Sequence, residues 1–324
     1  MTRAESNNSL PTPMQNWLRH LHDSQRYSSH TLDAYQRDLK HLARIHEGVP
    51  LETLTENHIR TALTTLHREQ LQARSLARAL AAWRGFFQWW GPQANLSHNP
   101  AAAIRAPKAP QNLPKALSVE QAQQLLDRPG LPPAQTAVEF RDQAMFEVLY
   151  SSGLRLSELI GLDTHYIKQA NHTSSGWLEL DEAQLTVYGK GRKTRVVPLG
   201  RLAQEAVKQW LKHRPAFAQH HLNDADAQAA LFLGVRGKRI SARVVQKQLQ
   251  ELSVKANLPV HVHPHSLRHS FASHLLQSAH DLRAVQELLG HANISTTQIY
   301  TRLDYQHLAS VYDQAHPRAR RQKG

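Results

Sequence analysis

His265 and Arg268 stand three residues apart in His265-Ser-Leu-Arg-His-Ser-Phe, and His291 and Tyr300 follow downstream in Leu289-Gly-His and Thr296-Thr-Gln-Ile-Tyr-Thr. On a helix, a spacing of three places two side chains on one face. An arginine and a histidine at a helix N-terminus suit a phosphate, because the unpaired backbone N–H groups and the helix dipole there also attract an anion. A tyrosine beside a held phosphate offers a hydroxyl nucleophile. These four residues point to phosphoryl transfer onto Tyr300.

The elements that must position them are legible as periodicity. From Pro264 the pattern predicts a helix: Leu267, Phe271 and Leu275 recur at i, i+4 and i+8, with Ala272 and Leu276 widening the apolar stripe. A second helix follows, with Leu282, Val285, Leu288 and Leu289 as its apolar positions and Gly290 as its C-terminal cap, which puts His291 just past its end. Upstream, a buried helix is expected from Arg141 to Tyr150, ending in Ser151-Ser-Gly before Leu154-Arg-Leu-Ser-Glu-Leu-Ile starts another. Arg155 thus lies at a tight turn into a helix, where a lone arginine would more often form a salt bridge, here with Glu158. From Trp177 the period changes to two, predicting strands in Trp177-Leu-Glu-Leu, Leu185-Thr-Val-Tyr and Thr194-Arg-Val-Val-Pro-Leu. Gly189-Lys-Gly-Arg-Lys joins the last two as a hairpin turn carrying Lys190. The polar stretch Gln169 to Gly176 reads as an exposed loop. Further helices are expected near Leu202 to Leu211 and Ala242 to Ala256, and Ser118 with Gln121 reads as a capping box.

Residues 1–108 read as an all-helical unit. Helices are expected from His30, with Leu32, Tyr35, Leu39 and Leu42 on one face, and from Leu54 to Leu66. A third runs from Arg74 to Trp90, where Leu76, Leu80, Trp83, Phe87 and Trp90 form an inward stripe. Residues 109–116 form a linker, since Pro100, Pro107, Pro110 and Pro114 break helices and favour extended chain. About ten extended residues span roughly 33 Å, enough to pass round a DNA duplex. Residues 117–303 form the second domain and 304–324 a tail. The fold class expected is mainly α with a small antiparallel sheet, α+β, in the second domain.

The chain has 324 residues and a net charge of +13, an excess that favours a nucleic-acid partner over a membrane. No run of about 18 apolar residues is present to span a bilayer, and Met1 to Leu10 lacks the apolar core of a signal peptide. The absence of cysteine excludes disulfides, thiolate zinc sites and a cysteine nucleophile, and agrees with a cytoplasmic location. His261-Val-His-Pro-His265 has no carboxylate at a suitable spacing, so no metal site is expected there. Arg74 and Arg78 share a helix face at i, i+4; with Arg192, Lys193, Arg239 and Arg243 they are candidates for DNA phosphate contacts, which supply affinity rather than sequence choice.

Arg155, Lys190, His265, Arg268, His291 and Tyr300, in that order, resemble the active-site set of the tyrosine recombinase family. The matching segments are Ser152-Gly-Leu-Arg-Leu-Ser-Glu-Leu, Gly189-Lys-Gly, His265-Ser-Leu-Arg-His-Ser-Phe-Ala, Leu289-Gly-His-Ala and Thr296-Thr-Gln-Ile-Tyr-Thr. Within the family the chain is most similar to bacterial chromosome-dimer resolvases, over nearly its whole length and more weakly before residue 115. Its one departure is the Gln169 to Gly176 loop, longer than usual and outside every motif. The resemblance implies an N-terminal core-binding domain, a catalytic domain, and cleavage through a 3′-phosphotyrosyl intermediate. It implies a DNA site of two inverted half-sites, a XerD-like partner recombinase in a cyclic heterotetramer, a FtsK-like DNA translocase as activator, and a tail docked in trans through the helix from Tyr305 to Tyr312.

Physical chemistry runs beside the resemblance. A tyrosine hydroxyl titrates near pH 10 and needs help to become a nucleophile. Arg155 and Arg268 would fork the non-bridging oxygens and stabilise the pentavalent transition state. His265 is placed to accept the tyrosine proton and His291 to hydrogen-bond the phosphate. The resemblance makes Lys190 the general acid that protonates the leaving 5′-oxygen. Because the phosphotyrosine retains the bond energy, the reaction needs neither ATP nor metal, and no cofactor is expected; the motifs lack the clustered carboxylates of metal-dependent hydrolysis. Tyr188, Tyr305 and Tyr312 compete with Tyr300 as nucleophile on residue type alone. The competing functional readings are a phage-type integrase or XerD-like enzyme, a type IB topoisomerase, and a non-catalytic architectural DNA-binding protein.

Overall fold

The computed structural model describes residues 10–25, 27–107, 116–127, 132–188, 194–278, 311–312 and 315–317. The chain divides into two units, Met1–Asn112 and Leu113–Gly324. The first is helical: α1 (Thr12–Asp23), α2 (Ser29–Ile45), α3 (Glu56–Arg68) and α4 (Ala73–Trp90). The α2 cap is Ser28, whose hydroxyl accepts from the Thr31 amide at 3.3 Å, so this helix starts one residue before the sequence pattern places it. All five positions of the α4 stripe are buried, and Trp83 is fully so. Burying such a side chain stabilises the fold by roughly 2–3 kcal/mol. Its indole still finds a partner, donating to the Asp38 carbonyl at 2.7 Å.

The second unit is built round α6 (Ala137–Ser152), after α5 (Val119–Asp127). Ser118 and Gln121 form the reciprocal capping bonds at the α5 start, at 3.0 and 3.2 Å. Thr136 and Glu139 do the same for α6. From Ala144 to Ser152 every α6 residue is buried, the pattern of a central helix covered on all sides. Next come the short α7 (Leu156–Ile160), then a two-stranded ribbon of β1 (Lys168–Gln169) and β2 (His172–Thr173). A three-stranded antiparallel sheet follows, β3 (Gly176–Glu179), β4 (Gln184–Tyr188) and β5 (Thr194–Pro198), in the order β3-β4-β5. The chain continues through α8 (Arg201–His213), α9 (Pro215–Ala218), α10 (Ala225–Ala229), α11 (Ala242–Lys255) and α12 (Pro264–Ser278). The described residues therefore form a mainly helical protein with small antiparallel sheets.

Two expectations change. The stretch from Gln169 to Gly176 is anchored rather than an open loop: it contributes to the ribbon, His172 bonds Asp163 at 2.7 Å, and Ser174 is buried. On α12, Leu267, Phe271 and Leu275 are buried as the period requires, but Leu276 is 41% exposed. His274 takes the buried position instead because both its nitrogens are satisfied. Nε2 donates to the Leu117 carbonyl and Nδ1 accepts from the Tyr150 hydroxyl, each at 2.8 Å. Of the tail, the described residues 311–312 and 315–317 pack on their own unit. Tyr312 is buried with its hydroxyl 2.8 Å from Ser151 Oγ, and His316 stacks on it, centroids 4.9 Å apart, beside Tyr150 and Phe271.

Candidate active site

Gly153 sets the geometry of the site. It ends α6 in the left-handed region at φ +55°, where glycine carries no penalty, and any side chain there would overlap the Phe271 ring of α12. That close approach lets Arg268, one turn before Phe271, donate from Nη1 to the Gly153 carbonyl. Two residues after Gly153, Arg155 occupies the cap position of α7. One glycine thus brings the α6–α7 turn against the N-terminal part of α12.

Arg155 and Arg268 are placed together around Glu158. The Glu158 carboxylate accepts the Arg155 backbone N–H at 2.7 Å and its Nη1 at 2.9 Å. It also receives an end-on fork from Arg195 on β5, Nη1 to Oε1 and Nη2 to Oε2, both at 2.8 Å. Glu158 and Arg195 are buried at 7% and 5% exposure, while the Arg155 side chain is 42% exposed. Burial alone would raise the Glu158 carboxyl; the Arg195 fork, then the Arg155 bonds, outweigh it and bring it down to about 2. Arg268 moves the opposite way for an arginine. Burial first, then repulsion from Arg155 and Arg195, lower it to about 10, with Glu158 only partly offsetting them. A half-exposed guanidinium beside a buried, repelled one is an arrangement that an entering phosphate anion would relieve.

His265 lies exposed in the first turn of α12, whose start is closed by Ser266 bonding back to the His263 backbone at 2.8 and 2.7 Å. Lys190, His291 and Tyr300 lie outside the described residues, as do Arg192, Lys193 and Tyr305. Of the competing tyrosines, Tyr312 is 1% exposed and bonded to Ser151, which removes it from contact with substrate. Tyr188 ends β4 with its ring packed edge-on to Trp177. Among the described residues no group of three or more histidine, cysteine or carboxylate side chains is arranged to hold a metal ion. No described helix is long and apolar enough to cross a membrane.

The basic candidates for DNA separate sharply. Arg74 and Arg243 are exposed, in the first turns of α4 and α11. Arg78 instead forks the buried carboxylate of Asp38 at 2.8 and 3.0 Å, a bond that raises its guanidinium. Arg239 bonds Asp163 at 2.7 Å, Asp226 at 2.8 Å, and the Ile160 and Leu162 carbonyls. These two arginines are tied to buried carboxylates, which need a fixed cation. Conversely, sequence reasoning passed over Arg195. Its signal was present: in Thr194-Arg-Val-Val the arginine shares the inward strand face with buried Val197, a position that demands a carboxylate partner.

Comparison with known proteins decides the class. Residues 115–307 match the phage integrase family and residues 14–91 the phage integrase N-terminal SAM-like domain. The chain is 51% identical to a tyrosine recombinase XerC 1 of Ralstonia nicotianae, over 91% of this chain and 90% of that one. It is 45% identical to a tyrosine recombinase XerC of Escherichia coli, over 97% and 99%. The chain belongs to the tyrosine recombinase family. It is a DNA-breaking and rejoining enzyme of site-specific recombination. Solved recombinases share its fold: the XerH recombinase bound to a palindromic difH substrate has a TM-score of 0.62 at 20% identity, covering 93% of this chain and 83% of that one. A lambda integrase tetramer bound to a Holliday junction also scores 0.62, at 17% identity, covering 92% and 83%. In this recombinase the Arg155–Glu158–Arg268 grouping falls inside the matched catalytic region.

Proposed function

We propose that this tyrosine recombinase resolves chromosome dimers, cutting and rejoining strands at a site of two inverted half-sites together with a XerD-like partner. The observation that carries this reading is the full-length similarity, 45–51% identity over nine-tenths or more of each chain, to proteins named tyrosine recombinase XerC. A FtsK-like DNA translocase would act as activator, and assembly would be a cyclic heterotetramer, the lambda integrase tetramer on a Holliday junction providing an analogy of fold.

In the reaction we infer, the Tyr300 oxygen attacks the scissile phosphorus while His265 takes its proton. Arg155 and Arg268 hold the non-bridging oxygens, with His291 adding a hydrogen bond. The P–O5′ bond breaks and Lys190 protonates the departing 5′-oxygen. The 3′-phosphotyrosyl ester keeps the bond energy, and a 5′-hydroxyl from another strand reverses each step. Support for the clamp lies in Arg268 itself, lowered to about 10 by burial and by two neighbouring guanidiniums. Arg74 and Arg243 serve as backbone contacts outside the reacting centre.

The test is covalent trapping on a labelled duplex whose nick lets the 5′ product escape. Wild type, with the partner recombinase added, should give a shifted band on a denaturing gel that disappears in Tyr300→Phe. An adduct that persists in Tyr300→Phe would put the nucleophile elsewhere, and binding without adduct would favour the architectural reading.

A further inference from the structure

Glu158 offers two oxygens, and the two arginines use them unequally. Arg195 approaches end-on and takes both at 2.8 Å, whereas the Arg155 guanidinium gives Glu158 a single Nη1 bond at 2.9 Å. A two-point fork fixes the plane of a carboxylate, which a single bond does not. Arg195 is 5% exposed and sits on β5 in register with β4, Val187 opposite it. It is too deep to touch a DNA phosphate. Its Nε is buried with no hydrogen-bond partner among the described residues, so the guanidinium is oriented for the carboxylate at the expense of its third donor position.

We propose that Arg195 is a positioning residue for strand cleavage: its fork holds the Glu158 carboxylate so that Glu158 orients Arg155 without capturing it. Without Arg195, Glu158 becomes a buried carboxylate whose nearest described cation is Arg155. It would draw that guanidinium into a two-point pair and away from the scissile phosphate. The fork also fixes strand β5 to the start of α7. Arg195 follows Lys190 by five positions in the sequence, so the strand that comes after the inferred general acid is tied to the same carboxylate as the phosphate clamp. The inference rests on the strand-transfer reading of the site.

The experiment compares single-turnover cleavage of the nicked duplex by wild type, Arg195→Met and the double variant Arg195→Met/Glu158→Gln, with Tyr300→Phe as the control. Binding of the same duplex is measured in a Tyr300→Phe background. Arg195→Met should slow cleavage by about 100-fold, the scale of a misplaced catalytic group, and leave binding nearly unchanged. Removing the carboxylate charge as well should restore at least about tenfold of that loss, since a neutral glutamine no longer competes for Arg155. Merely structural support for the sheet would give no such rescue. A single variant as fast as wild type, or a folded double variant no faster than the single, overturns the proposal. Should the single variant not fold, a folded double variant slowed by more than about 100-fold overturns it equally, and one close to wild type supports it. A wild type that forms no adduct overturns the strand-transfer reading itself, and the inference with it.

Discussion

Glu158 and Asp163 lie five positions apart and both have buried side chains, yet the clusters around them behave in opposite ways. Asp163 faces Arg239 and His172, each at 2.7 Å, and Arg239 gains a second carboxylate from Asp226. Burial opposes the charge on Arg239, but the bonds to Asp226 and Asp163 prevail and its guanidinium is raised. Around Glu158 the proportion is reversed: three guanidiniums, from Arg155, Arg195 and Arg268, act on one carboxylate, and Arg268 is lowered to about 10. The same residue types therefore build a closed structural tie in one place and a standing excess of positive charge in the other. Arg214, beside the Asp163 cluster, is also lowered, by burial and then by Arg239, but its guanidinium is held by the Ala227, Gln228 and Ala230 carbonyls. The excess around Glu158 lies beside the half-exposed Arg155, where a phosphate would neutralise it.

The sharpest way to break the comparison is to neutralise one arginine from each cluster. Arg268→Met should lower cleavage by about 10³-fold, the loss expected for a transition-state donor. It should move the melting temperature little, because a repelled buried cation leaves with its cost. Arg239→Met strands Asp163 and should destabilise the protein by about 3 kcal/mol, read from urea unfolding. At low temperature, where it remains folded, it should keep most of its cleavage activity. Equal losses of activity at equal folded fraction would mean that charge balance does not distinguish function from scaffold.

Acid titration sharpens the comparison further. The Glu158 carboxyl is near 2 in the folded state against an ordinary 4.5, so its contribution is complete above pH 4.5 and is lost as the pH falls towards 2. A depression of this size corresponds to about 3 kcal/mol. Unfolding free energies measured at pH 5 and pH 3 should therefore converge in Glu158→Gln relative to wild type. Asp163 is also depressed: burial works against its charge, and bonds from Ser174, Arg239 and His172 outweigh it. It should shape the same acid limb with the same sign. An unchanged limb in Glu158→Gln would remove the ion pair from the account of stability.

What the sequence showed and what it hid follow from the range of the interactions. Periodicity reports a residue's own helix or strand, so Leu267, Phe271 and Leu275, the α4 stripe and the Ser118–Gln121 cap could all be read from neighbours a few positions away. Long-range charge pairing leaves no such local trace. Arg239 finds Asp163 across 76 residues, Arg78 finds Asp38 across 40, and Arg195 finds Glu158 across 37. Hence Arg239 and Arg243 looked equally available for phosphate when Arg239 was already bonded to Asp163 and Asp226. His172 and Ser174 escaped notice for the same reason: a polar loop composition says nothing of a buried carboxylate nine or more residues upstream. Arg155 and Arg268 were legible because their motif matches were, whereas Arg195, which belongs to no such catalytic set, required the fold.

The smallest effects lie on α4, where Arg74 and Arg78 occupy one face a turn apart but differ in what they hold. Arg74 is exposed in the first turn; Arg78 is forked to Asp38, which is 1% exposed. If exposure decides which arginine meets DNA, Arg74→Ala should flatten the plot of log affinity against log salt by about 0.9, the release of one counterion. Its stability should stay at the wild-type value. Arg78→Ala should do the reverse. Since Arg78 is itself partly solvated, freeing Asp38 should cost about 1–2 kcal/mol of stability, with the salt slope preserved. Titration of one duplex at several salt concentrations, alongside urea melts of both variants, separates the outcomes. A shallower slope for Arg78→Ala would show that the Asp38 fork opens to admit a phosphate, and a paired arginine would then have to be counted as a DNA contact after all.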